Sequence, residues 1–201
     1  MTSAEQSATS RQMTALLAHN FREGHAAALA LVVELSEEQF RWRPVPGPQS
    51  IGWNLWHIAK WDDFMAEALV ARTPSLSHLG PARQIWDSRQ IADQWGWKSG
   101  RIGLLDGGTG MPDDDAAAMA LPAKQDVVTY ATDAFEYLEE VARELDDSLL
   151  PQVVPGPIIY PPDEKQDTYG NNLVVWLNHC YEHFGTMQAI KGMLGKRGRA
   201  Y

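Results

Sequence analysis

Ser50-Ile51-Gly52-Trp53-Asn54-Leu55-Trp56-His57-Ile58-Ala59-Lys60-Trp61 opens the segment that decides the fold. Ser50 suits a helix N-cap, because its hydroxyl can accept from the first unpaired backbone N–H groups. A helix over about residues 51–70 puts Ile51, Leu55, Ile58, Met65 and Leu69 on one apolar stripe. Trp53, His57, Trp61, Phe64 and Ala68 fall on an adjacent one. A helix apolar around so much of its circumference must be enclosed by other helices.

The flanking chain supplies them. Over about residues 10–34, Met13, Leu17, Phe21, Ala28, Leu31 and Leu35 recur at helical spacing. Gly24 lowers helix propensity there and permits close approach of a neighbour. Ser36-Glu37-Glu38-Gln39 has the form of a capping box and predicts a short helical turn. Arg43-Pro44-Val45-Pro46-Gly47-Pro48 forces an extended connection. A third long helix is expected over about residues 125–147, burying Val127, Ala131, Phe135, Leu138, Val141 and Leu145. A fourth spans about residues 171–194, with Gly195 as its C-cap.

Residues 72–123 form no single regular element. Short helical turns are expected near 84–94 and after Pro112-Asp113-Asp114-Asp115. A long loop in a compact domain is often a lid or an interface, and Trp86, Trp95 and Trp97 offer aromatic surface for either. Gly107-Gly108-Thr109-Gly110 reads as a flexible turn and lacks the Lys-Ser/Thr ending of a phosphate loop. The Pro-rich stretch 151–162 reads as extended chain or a short hairpin turning at Pro155-Gly156-Pro157. The predicted fold is all-α: a four-helix bundle with a long irregular crossover between helices 2 and 3. It is one domain over residues 1–201, with the insertion at about 72–123.

The net charge of −9 and the absence of a basic face argue against nucleic-acid binding. No apolar stretch is long enough to span a bilayer, and Met1-Thr2-Ser3-Ala4-Glu5-Gln6 does not read as a signal peptide. Cys180 is the only cysteine, which excludes an intramolecular disulfide and fits a cytoplasmic location.

The chemistry lies in the histidines. His179 and His183, in Asn178-His179-Cys180-Tyr181-Glu182-His183, stand four apart on the stripe that runs through Trp176, Met187, Ile190 and Leu194. Burying two unpaired imidazoles is costly. With His57 on a second core-facing stripe, three imidazoles could hold a divalent transition metal and leave a coordination position open. The rival reading makes all three ordinary core residues. His19, His25 and His78 read as ordinary, with His25 near the core beside Phe21 and His78 exposed. His179-x-x-Glu182-His183 also matches an inverted zinc-protease motif, but no Asp or Glu follows His183 to complete it. Glu182 reads as a hydrogen-bond partner of a ligand, as a general base, or as part of a solvated face. Cys180 reads as a small buried residue, and Trp53, Trp56, Trp61 and Trp176 as bulk around the histidines.

Three stretches carry a family likeness: Leu35-Ser36-Glu37-Glu38-Gln39-Phe40-Arg41-Trp42-Arg43-Pro44, residues 46–59 through Trp56-His57-Ile58-Ala59, and Leu177-Asn178-His179-Cys180-Tyr181-Glu182-His183-Phe184-Gly185-Thr186-Met187-Gln188-Ala189-Ile190-Lys191-Gly192. In this order the chain resembles the DinB-like (YfiT-like) superfamily of metal-dependent four-helix bundles. The resemblance implies His57, His179 and His183 as ligands of a divalent metal, zinc or nickel among relatives. It implies either a hydrolase or a transferase using a low-molecular-weight thiol on a small-molecule substrate, in a protein able to form a homodimer. It also leaves open a non-catalytic metal-binding or stress-related regulatory domain. The family name implies no DNA contact.

Overall fold

The computed structural model describes residues 11–45, 48–156 and 167–198. Four long helices dominate: α1 (Gln12–Val32), α3 (Ile51–Arg72), α7 (Lys124–Glu144) and α8 (Tyr169–Met193). Short helices α2 (Glu37–Arg41), α4 (Ile85–Ser88), α5 (Ile91–Gln94) and α6 (Asp113–Ala118) lie in the connections. Among the described residues there is no strand, only the isolated bridges Leu104–Thr109 and Val153–Thr168. The second of these closes the Pro-rich connector like the neck of a hairpin; its expected turn lies partly outside the described residues, as does the N-terminal segment 1–10.

Local chemistry sets most helix ends. Both halves of the capping box are formed at α2: Ser36 Oγ accepts from Gln39 N, and Gln39 Oε1 accepts from Ser36 N. Ser50 Oγ accepts from Trp53 N at 3.1 Å and starts α3. Thr168 caps Asn171 N, which starts α8 two residues earlier than the apolar stripe suggests. At its far end Gly195 adopts φ +71, and Lys196 N and Gly195 N return to the carbonyls of Lys191 and Gly192. That is the glycine-terminated helix stop. Helix α7 ends at Glu144 rather than near 147, because the next residues have other work. Leu145 turns fully inward, and Asp147 accepts from the backbone of Met13 and Thr14. A distant carboxylate thus caps α1, whose own N-cap Arg11 makes no such bond.

Helix α3 packs on α7 and α8, and α1 packs on the same two from the opposite side. Every residue of α3 is buried except Phe64, Glu67, Ala71 and Arg72. The core divides into two apolar clusters along the bundle axis. One gathers Leu31, Phe40, Trp56, Ala131, Phe135 and Phe184; the other gathers Phe21, Met65, Leu69, Leu138, Leu173 and Trp176. Chain order through these clusters shows that α3 and α7 run the same way. The link between them must therefore return along the bundle, a helix of 22 residues being about 33 Å long. This is why the crossover is long.

The crossover is fastened to the bundle. Buried Asp63 accepts from Ile85 N and Trp86 N at 2.8 Å each and from Tyr130 Oη at 3.1 Å. Burial pushes its carboxyl up to about 6, against the pull of those donors. Lys60 Nζ reaches Gln84 Oε1 at 2.6 Å. Trp86, expected to offer surface, is instead 2% exposed and packs among Trp56, Trp95, Trp97 and Tyr130. The aromatic residues of the insertion extend the core.

Between the two apolar clusters lies a polar layer. His57 and Asp62 from α3, His25 from α1, Glu139 from α7 and His179 from α8 all fall at the boundary.

Candidate metal centre

His57, His179 and His183 meet where α3 faces α8. One nitrogen from each lies within 4.8 Å of the other two. His57 Nε2 and His179 Nε2 are 3.1 Å apart. Two nitrogens bound to one ion at about 2.0–2.1 Å, at angles from square to tetrahedral, stand about 2.9–3.4 Å apart. The observed separation fits that range.

Two of the three rings are already oriented. His57 Nδ1 donates to the Gly107 carbonyl at 2.5 Å, which leaves the Nε2 lone pair facing the other imidazoles. His183 Nδ1 donates to Asn54 Oδ1 at 2.7 Å. The Asn54 amide cannot be reversed, since its Nδ2 donates to the carbonyls of Gln49 and Ser50 at 3.0 and 2.8 Å. The third ring differs: His179 Nδ1 is buried without a hydrogen-bond partner.

The turn that supplies the Gly107 carbonyl is seated on tryptophans. A Cβ on Gly107 would lie 2.8 Å from Trp61, and one on Gly108, whose φ is +83, would lie 2.7 Å from Trp53. Trp53 also stacks on His57, with centroids 4.7 Å apart and planes 15° from parallel. The glycine turn expected to be flexible is therefore a fitted part of the site wall.

Burial lowers the pKa of all three histidines. His57 is held well below its usual value by burial and then by the charges its neighbours would carry. His183 is pushed down to about 3 by burial and by His179. His179 is lowered by burial, while Asp62 and then Glu182 pull it back. Neutral imidazoles are the form that ligates a metal, and this donor type suits zinc, nickel and related divalent ions. His57 is 4% exposed, whereas His179 and His183 are partly exposed, so the group opens toward solvent along α8. Glu182 lies on the exposed side of α8. Cys180 is fully buried, and burial raises its thiol pKa.

His25 departs from the ordinary role expected of it. It is 1% exposed, stacked on Phe135 with centroids 4.0 Å apart, and both ring nitrogens face carboxylates. Nδ1 bonds Glu139 Oε1 at 2.7 Å, and Nε2 lies 2.9 Å from Asp62 Oδ2 without hydrogen-bond geometry. Burial acts to discharge it, but Asp62, Cys180 and Glu139 outweigh burial and hold its pKa well above the usual value. His19 and His78 are exposed, as expected of His78 from its loop position.

Asn54, Gly107 and Glu139 were invisible as site residues in the sequence. Asp62 did carry a signal, as an acidic residue inside a helix that reads as apolar around much of its circumference.

No curated protein matches the chain. A crystal structure of a conserved protein from Enterococcus faecalis is similar to it, with a TM-score of 0.66 and 17% sequence identity. The alignment covers 90% of this chain and 96% of that one, and it supports the fold. Residues 20–187 match the DinB superfamily, so the chain belongs to that family.

Proposed function

We propose that this chain binds one divalent transition metal, zinc or nickel, through the Nε2 atoms of His57, His179 and His183. We further propose that it is a metal-dependent enzyme, either a hydrolase or a transferase using a low-molecular-weight thiol. The carrying observation is the convergence of three buried or half-buried imidazoles, two of them with Nδ1 protons committed to outward acceptors. A bound ion there supplies Lewis acidity that lowers the pKa of water or a thiol. Three protein ligands leave at least one position for a small molecule. Trp53 and Trp61 shield His57, and the partly exposed side of His179 and His183 admits the substrate. Glu182, whose charge acts on His179, is assigned to proton transfer.

Elemental analysis of untagged protein beside His57→Ala and His183→Ala tests the reading. About one divalent ion per chain is expected, lost in both variants. A folded wild-type protein that takes up no metal on reconstitution overturns it. Glu182→Gln is expected to retain the metal and lose turnover of any hydrolytic or thiol-transfer substrate found by screening. Unchanged kinetics removes Glu182 from the mechanism.

A further inference from the structure

We infer that Asp62 is the positioning carboxylate of His179: it accepts a hydrogen bond from the His179 Nδ1–H when an ion is bound, and His25 and Glu139 hold it in place for that. The inference rests on the metal-binding reading above.

The argument begins with a proton. His57 carries its proton on Nδ1, so its Nε2 is a bare lone pair. The 3.1 Å contact between His57 Nε2 and His179 Nε2 is then a hydrogen bond only if His179 is protonated on Nε2. An ion needs that lone pair. On binding, the neutral ring must carry its proton on Nδ1 instead. That atom is buried, so it requires an acceptor.

Asp62 is the buried acceptor in want of a donor. It is 0% exposed; its Oδ2 lies 2.9 Å from His25 Nε2 without hydrogen-bond geometry, and its Oδ1 has no hydrogen-bond partner. Its position is tied to that of His179. The Trp61 carbonyl accepts from Trp176 Nε1 at 3.2 Å, which joins the turn of α3 before Asp62 to the turn of α8 before His179. Asp62 and Cys180, the residue after His179, both interact with the His25 imidazole. Asp62 is also the leading charge acting on His179. Glu182, the next, is exposed and has solvent to satisfy it.

His25 completes the arrangement. With a carboxylate oxygen at 2.7 and 2.9 Å from its two nitrogens, its surroundings favour the imidazolium form. It offsets the buried charge of Asp62 from the Oδ2 side, leaving Oδ1 for His179. The ligand–carboxylate pairing that His57 and His183 achieve with a carbonyl and an amide is thereby extended to the third ring.

The test compares zinc affinity, by competition with a chromophoric chelator, for the wild type, Asp62→Asn and Asp62→Leu. Asp62→Leu is expected to bind about 10–100-fold more weakly, with Asp62→Asn between them because its amide oxygen can still accept. Equal affinities in all three overturn the inference. The full-length wild type supplies an independent reading by 15N NMR of the His179 ring. The proton is expected on Nε2 without zinc and on Nδ1, protected from exchange, with zinc. Zinc bound while Nδ1 stays unprotonated sinks this inference alone. A wild type that binds no zinc sinks the metal-binding reading with it.

Discussion

Gly107→Ala tests whether the crossover turn holds His57 in its metal-ready orientation. The new Cβ would sit 2.8 Å from Trp61 Cε2 and 2.9 Å from its Nε1. Ordinary contact begins near 3.4 Å, so the turn must retreat by about 0.6 Å, because the buried indole cannot yield as a flexible side chain could. The Gly107 carbonyl retreats with it, and that carbonyl orients His57 at 2.5 Å. Overpacking of this kind costs about 1–3 kcal/mol, or roughly 2–12 °C in Tm for a chain of this size. Loss of His57 orientation adds a second effect, about a tenfold weaker hold on zinc. At fixed zinc that removes about 1.4 kcal/mol of ligand stabilisation. Thermal unfolding with and without zinc separates the two. Gly110→Ala is the control: it meets nothing within 4 Å and carries only the strain of φ +76. It should lower Tm and leave the zinc increment intact. If Gly107→Ala keeps both the wild-type Tm and the wild-type zinc increment, the turn does not position His57.

Zinc at 100 times its Kd should raise the wild-type Tm by roughly 5–11 °C, a gain of about 2.7 kcal/mol. EDTA should reverse the gain, and His183→Ala should show none. Gly52→Ala would place a Cβ 2.5 Å from Phe40 Cε1, and both residues are buried. It should lower urea-unfolding stability by about 1–3 kcal/mol without changing metal content. His25 has a folded pKa raised above its ordinary 6.5, so its contribution is complete below that value and fades as pH rises through the folded pKa. The stability deficit of His25→Gln should be larger at pH 6 than at pH 9. A deficit that grows with pH would contradict a charged His25.

The helices were legible where their start and stop signals are local. Ser36 with Gln39, Ser50 and Gly195 all act on backbone groups within a few residues. The histidine pair was legible for the same reason, since positions four apart share a helix face. What stayed hidden depends on partners far away in the chain. Asp147 caps a helix through Met13, 134 residues earlier. Gly107 serves through its backbone carbonyl, which no side-chain pattern announces. His25 looked ordinary because its two carboxylates stand on different helices. Trp86 looked like surface because it lies in a loop, yet Asp63 pulls that loop onto the core. The local code marked elements and ligands; the orienting contacts came from packing.

A wholly apolar bundle can slip. Moving one helix by a turn, about 5.4 Å, trades one aliphatic contact for another at little cost. His25, Asp62 and Glu139 remove that freedom, because they interlock from three different helices. A slipped α1 or α3 would leave a buried charge alone, a penalty of about 3–5 kcal/mol. Replacing all three with apolar residues should keep the helix content and broaden the NMR spectrum, as alternative alignments become populated. The charged layer is thus a register mark for α1, α3 and α7, and it sets the height at which α3 presents His57 to the pair on α8.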